Sequence, residues 1–220
     1  MLKRMQPKAR HNIILLVLNF IYIFVLGLFA DTNNINFVYY TCISLIYFAS
    51  VLVIKDESRY YFYFPAVMII LTWITEFLNF PLLSDITGII STIFFFGIIV
   101  LLIIRVAKSK RVTIVEFLES INIYMLLGIA ASILFGFLYR IKPEAFSAST
   151  GNFSSQADFI YFSFVTITTL GYGDILPVSH LARSLAIMFS VTGQLYLTMI
   201  IAMLVGKYLS VNQVNTNPKD

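Results

Sequence analysis

The sequence predicts an all-α membrane protein with six transmembrane helices and one shorter, re-entrant helix that enters the bilayer without crossing it. Three observations carry this. Of 220 residues, 59% are apolar and 12% charged, and the mean hydropathy is +0.87, whereas soluble domains carry about 25% charged residues. Six apolar runs are long enough to span about 30 Å of hydrocarbon. A further run of about twelve residues is too short to cross and leads into a glycine-bearing string. This composition excludes a disordered chain, a nucleic-acid-binding domain and a disulfide-stapled secreted fold. The pI of about 9.1 does not reflect a basic face, because the basic residues flank the apolar runs. Cys42 is the single cysteine, and His11 and His180 are the two histidines, which leaves no Cys/His cluster for zinc.

The spans are expected at 13–30, 35–54, 60–80, 86–106, 121–140 and 181–209. Backbone in lipid must satisfy its own hydrogen bonds, so each run is read as a helix. The breaks are polar at Asp31-Thr32-Asn33-Asn34, charged from Lys55 to Arg59, and proline-marked at Phe80-Pro81. The last run would reach about 43 Å, so it must tilt or protrude. Twelve Lys and Arg residues fall on the side of the termini, against Arg140, Lys142 and Arg183 on the other, which predicts both termini in the cytoplasm. The first run lacks the small residue of a signal-cleavage site at Leu28-Phe29-Ala30, so it is read as a retained span.

The short run extends from Asp158 to Thr169 and is followed by Leu170-Gly171-Tyr172-Gly173-Asp174. Ser155 with Asp158 three residues later has the form of a capping box, and the helix is expected to stop near Thr168. Extended backbone at membrane depth is tolerated only where it is buried in protein or lines a water-filled path. Glycines at alternate positions reach left-handed dihedrals cheaply, so the carbonyls of Thr169, Leu170, Gly171 and Tyr172 could all face one axis. Four such strands would stack oxygen cages able to replace an ion's hydration shell, with the Thr169 hydroxyl as the innermost layer.

Here the sequence resembles the tetrameric potassium-channel superfamily, matching its filter pattern at Thr166, Thr169, Gly171, Tyr172, Gly173 and Asp174, and continuing through Pro177, Arg183 and Gly193. The close resemblance covers about 155–209; the first four runs resemble the six-span, voltage-gated-like architecture in number, sidedness and linker placement. It implies a four-helix sensor-like domain over 1–106, an amphipathic cytoplasmic linker over 107–120 (Val112, Val115, Leu118), a pore domain over 121–209 and a short polar tail over 210–220. It also implies K⁺ coordination by Thr169, Leu170, Gly171 and Tyr172, with Gly173 completing the filter and Thr166, Thr168, Asp174 and Tyr161 supporting it. Gly193 falls at the hinge position, while Gln194, Leu197, Ile201 and Val205 are candidates for the cavity and inner gate, or for ordinary helix packing. One filter per chain implies a homotetramer. No cofactor is expected beyond K⁺ as permeant ion, no nucleic-acid partner, and membrane lipid as surroundings.

The chain departs from the pattern. Tyr161 and Phe162 stand where many relatives have two tryptophans, so Tyr161 can donate to Asp174 while Phe162 offers Tyr172 no donor. Val165 replaces an acidic residue that some members carry behind the filter. No basic residue occurs from Ile86 to Ile104, so steep voltage gating is not expected; Arg105, Lys108 and Arg111 read as positive-inside anchors. Glu76 is open to two readings, functional or merely solvated, and Asn19 reads as an interhelical hydrogen bond. His180 reads as a surface cap, and Asn152-Phe153-Ser154 forms a glycosylation sequon. Eleven residues after Leu209 leave no room for a cytosolic ligand-binding domain, so regulation is expected from the membrane, the ion, pH or a separate subunit. No nucleophile–base pair supports an enzyme. Two rival readings are a weakly selective cation channel and a non-conducting membrane subunit with a pore-like domain.

Overall fold

A computed structural model describes residues 7–29, 35–54, 60–77, 81–109, 113–149, 153 and 155–216. The Lys55–Arg59 break, Lys110, Arg111, Val112, and Asn152 and Ser154 of the sequon lie outside the described residues, as does the side chain of Glu76. The chain is mostly helical: α1 (Pro7–Phe20), α2 (Ile35–Ile54), α3 (Tyr60–Phe77), α4 (Pro81–Lys108), α5 (Ile114–Ile141), α6 (Gln156–Ile167) and α7 (His180–Thr216). It is not purely α. Strands β1 (Phe146–Ala148) and β2 (Ile175–Pro177) pair antiparallel, with Phe146 opposite Pro177 and Ala148 opposite Ile175.

Five helices among the described residues are long and apolar enough to cross a membrane: Lys8–Phe29, Phe37–Ile54, Ile86–Lys108, Ile114–Ile141 and His180–Met203. The run expected as the third span forms α3 but is not one of those five.

Helix boundaries differ from the apolar runs for identifiable reasons. Helix α1 starts six residues before the run at 13 because its polar turn is used: Asn12 is fully buried and bonded to α5. Pro7 and Pro81 stand at helix starts, where a missing N–H costs nothing. After Phe20 the helix loosens into a π turn over Ile21–Val25 and then tightens to a 3₁₀ turn over Leu26–Phe29. Part of the linker expected over 107–120 is helical. Thr113 caps α5 through Val115 N–H (3.2 Å), and Glu116 returns a bond to Thr113 N–H (2.9 Å). Residues 114–120 are therefore the first turns of α5.

Helix α5 is the centre of the molecule, packed against α1, α4, α6 and α7. In lipid, apolar surface gives little drive for helix association, so close packing and buried polar pairs take over. Both occur here. Asn122 on α5 donates to Asn12 O (2.9 Å) and accepts from Asn19 Nδ2 (3.2 Å), which gives Asn19 its interhelical bond. Gly128 lies where a Cβ would meet the tip of the Phe164 ring at 2.4 Å, so any larger residue would require that ring to move. Near β1, Phe135, Phe146, Phe153, Phe159 and Phe162 pack ring against ring, with centroids 4.8–6.4 Å apart; such pairs add about 0.5–1.5 kcal/mol each beyond area burial.

Candidate pore segment

Helix α6 spans 12 residues, about 18 Å, which cannot cross a bilayer. Its first turn carries the capping box that the sequence predicts: Ser155 Oγ accepts from Asp158 N–H (3.2 Å), and Asp158 Oδ2 accepts from Ser155 N–H (2.9 Å). Gln156 donates to the buried hydroxyl of Tyr22 (3.2 Å), which ties this turn to the π segment after α1. Nothing in the sequence signalled that link. Phe159, Ile160, Phe162, Ser163, Val165 and Ile167 are buried, so α6 is seated along most of its length. It ends at Thr168, whose N–H reaches Phe164 O.

Beyond the cap, the backbone is left-handed at Thr169 (φ 61°), Gly171 (φ 58°) and Gly173 (φ 78°). The two glycines are where the sequence places them. Thr169 is not a position that glycine reasoning finds, and among the described residues it is the one non-glycine with positive φ. Left-handed backbone is unfavourable for a β-branched residue, so neighbouring bonds must hold it. They do on the helix side: Thr169 N–H donates to Thr166 O (3.0 Å), and the N–H groups of Leu170 and Gly171 both reach Val165 O, at 3.0 and 3.3 Å. Val165 has no acidic side chain to offer here, and its main-chain oxygen is the acceptor. Residues 168–173 are exposed on the single chain, with Leu170 and Tyr172 at 60% and 67%.

At the outer end, Tyr161 donates its hydroxyl to Asp174 Oδ2 at 2.7 Å, the contact that the sequence predicts. That bond, with help from burial and the carboxylate's charge, pushes the phenol up to about 12. The Tyr161 ring also lies parallel to Tyr172, 6.5 Å between centroids. Phe162 sits among aromatic rings and offers no donor. A second brace was not legible: Ser149 N–H donates to Asp174 O (2.8 Å) at the end of the β1–β2 ribbon, and Val178 N–H to Ala145 O (2.8 Å). Arg183 bonds Pro177 O through Nε (3.2 Å), and His180 starts α7.

At the inner end, α7 presses against the end of α6. A Cβ on Gly193 would lie 2.3 Å from Ile167 Cγ1 and 2.6 Å from Ile167 O. The expected hinge glycine is thus a close-approach glycine in a helix unbroken from His180 to Thr216. The next residue, Gln194, donates through Nε2 to Thr169 Oγ1 at 3.0 Å. Behind it, Tyr196 is buried and donates to Ser120 O (2.8 Å), and Tyr124 reaches Ile167 O at 3.5 Å. Ile201 and Val205 are 60% and 52% exposed on the single chain, while Leu197 is half-buried.

On α4, Arg105 does more than anchor. Its guanidinium bonds Val53 O on α2, and its Nε lies 3.5 Å from Glu119 Oε1 on α5, whose side chain is 3% exposed. Glu119 carried no sequence signal, because its partner is found only through the fold.

Against known proteins, residues 123–210 match the family model described as "Ion channel". Two similar relatives are Two-pore potassium channel 4 of Arabidopsis thaliana and Two pore potassium channel c of Oryza sativa subsp. japonica. The first is 30% identical over 108 residues, 49% of this chain and 35% of the relative. The second is 30% identical over 91 residues, 41% of this chain and 19% of the relative. The matched stretches thus span about a third and a fifth of those proteins. No solved structure gives a significant match. The similarity is to channel proteins, and the five long apolar helices among the described residues fit a multi-pass membrane protein.

Proposed function

We propose that the chain forms a K⁺-selective channel in the cell membrane, conducting passively through a fourfold pore of four identical copies, each with six spans and both termini in the cytoplasm. The observation that carries the reading is the alternation of left-handed backbone at Thr169, Gly171 and Gly173 at the end of a short, non-crossing helix. Such alternation turns successive carbonyls to one side, and four copies give Thr169, Leu170, Gly171 and Tyr172 the oxygen cages that replace water around K⁺. Thr166 and Thr168 support the cage from α6, and Asp174 with Tyr161 from outside. The similarity to potassium channels supports the choice of ion, although those relatives are named for two pores and this sequence contains one Gly171-Tyr172-Gly173 string.

Voltage dependence is weak in this reading. Helix α4 has no basic residue between Ile86 and Ile104, and Arg105 is already engaged by Glu119 and Val53. Each charge moved through the full field is worth only about 2.3 kcal/mol per 100 mV. Liposomes loaded with K⁺ and diluted into Na⁺ with a protonophore, which lets H⁺ enter to balance the charge, should lose K⁺ when the protein is present and retain it when Gly171→Ala is present. K⁺ retention by liposomes carrying the unaltered protein would overturn the proposal, and equal K⁺ and Na⁺ flux would favour a weakly selective cation channel.

A further inference from the structure

We propose that Gln194 is a positioning residue for the innermost ion site: its side-chain amide holds the Thr169 hydroxyl, and so sets how strongly that site prefers K⁺ over a smaller cation. This rests on the channel reading above and assigns Gln194 a different task from the cavity or gate role that its helical spacing suggests.

Three observations converge on the pair. Thr169 is the one described non-glycine residue with left-handed backbone, and it is β-branched, so its conformation must be imposed by its surroundings. The main chain supplies one restraint, from Thr169 N–H to Thr166 O at 3.0 Å. The side chain has another: the Gln194 amide at 3.0 Å, 25 residues away in sequence. The approach exists because Gly193 has no side chain, which lets α7 lie against Ile167 O, two residues before the threonine.

The chemistry follows from the donor inventory. A threonine hydroxyl has one proton and two lone pairs. The amide N–H takes one lone pair and fixes the rotamer, while the second lone pair stays free to face a cation. A hydroxyl held in this way cannot follow a smaller ion inward. Cages that resist contraction disfavour Na⁺ relative to K⁺, because Na⁺ then loses its water without gaining short oxygen contacts.

The test is calorimetric titration of the full chain in detergent with K⁺ and with Na⁺ against a choline background. Gln194→Leu should lower the K⁺-over-Na⁺ preference about five- to tenfold, the worth of one such bond. Thr169→Val removes the ion's oxygen as well as the contact and should lower it at least as far, and the double variant should fall no further than Thr169→Val alone, because Gln194 then has no hydroxyl to hold. Additive losses would overturn the proposal, since a general packing role for Gln194 would persist without the hydroxyl. An unchanged preference in Gln194→Leu would also overturn it. If Gln194→Leu does not fold, Gln194→Asn keeps an amide one methylene short of Thr169 and should show the same loss; wild-type preference there would contradict the inference. Absence of any K⁺ binding by the unaltered protein would instead sink the channel reading itself, and this inference with it.

Discussion

The two ends of the pore segment are held in different ways. The outer end is fastened from within the stretch between α5 and α7: Tyr161 reaches Asp174 thirteen residues on, and Ser149 reaches the same residue from the end of the three-residue ribbon. The inner end is fastened by the long helices. Gln194 reaches back to Thr169, Tyr196 to Ser120, Asn122 to Asn12, and Arg105 on α4 to Glu119 on α5. In the proposed pore the outer mouth is therefore a local structure that the filter carries with it. The inner mouth depends on how the helices before and after it are assembled, so changes there should spread further.

That contrast is sharpest at Arg105. Removing it takes the nearest cation from the buried Glu119 carboxyl and a donor from Val53 O, so Arg105→Ala should cost about 1–3 kcal/mol per chain, read as a fall in thermal stability in detergent. Arg105→Lys, which keeps the charge, should recover part of it. If both variants melt with the wild type, the inner tie is ornamental and the contrast fails.

Next in size is Gly193→Ala, whose new methyl would collide with Ile167 main chain; overpacking of this kind costs about 1–3 kcal/mol. Gly97, in α4, has open space at the same position, so Gly97→Ala should be neutral or stabilising by up to about 1 kcal/mol. Equal melting temperatures for the two variants would contradict the close approach of α7 to α6.

At the outer end, Tyr161→Phe removes one hydroxyl from an exposed bond. We expect open lifetimes shortened about fivefold and reduced K⁺ selectivity, with melting temperature barely changed. Unaltered lifetimes and selectivity would mean that the ribbon alone suffices. The smallest effect is that of pH on this bond. The phenol is raised from 10.0 to about 12 in the folded chain, so its contribution is complete below pH 10 and is lost only as pH climbs through 12. Phenolate absorbance should therefore include one late-titrating tyrosine that disappears in Tyr161→Phe, and filter properties should be flat in this group's contribution from pH 6 to 9.

Much of this was legible in residues close in sequence. The apolar runs gave the helices, Ser155 and Asp158 the start of α6, Gly171 and Gly173 their left-handed backbone, and Tyr161 its carboxylate. What escaped depends on contacts between distant segments. A capping box at Thr113 starts α5 inside the expected linker, because hydropathy marks where apolar residues stop and not where hydrogen bonding does. The β1–β2 ribbon is only three residues per strand, too short for alternation to register. Glu119 looked like any charged residue beside a span until Arg105 stood against it. Thr169 looked like an oxygen donor; that it also bears the strain of a left-handed turn is visible only once Gly193 and Gln194 are beside it.

The central claim is that this glycine-bearing backbone selects K⁺ during conduction, and the bi-ionic reversal potential across a planar bilayer tests it most directly. With K⁺ on both sides at different concentrations and Na⁺ making up the balance, the account predicts a reversal that follows the K⁺ gradient by about 59 mV per tenfold change. A reversal that stays near zero whatever the K⁺ gradient would contradict it.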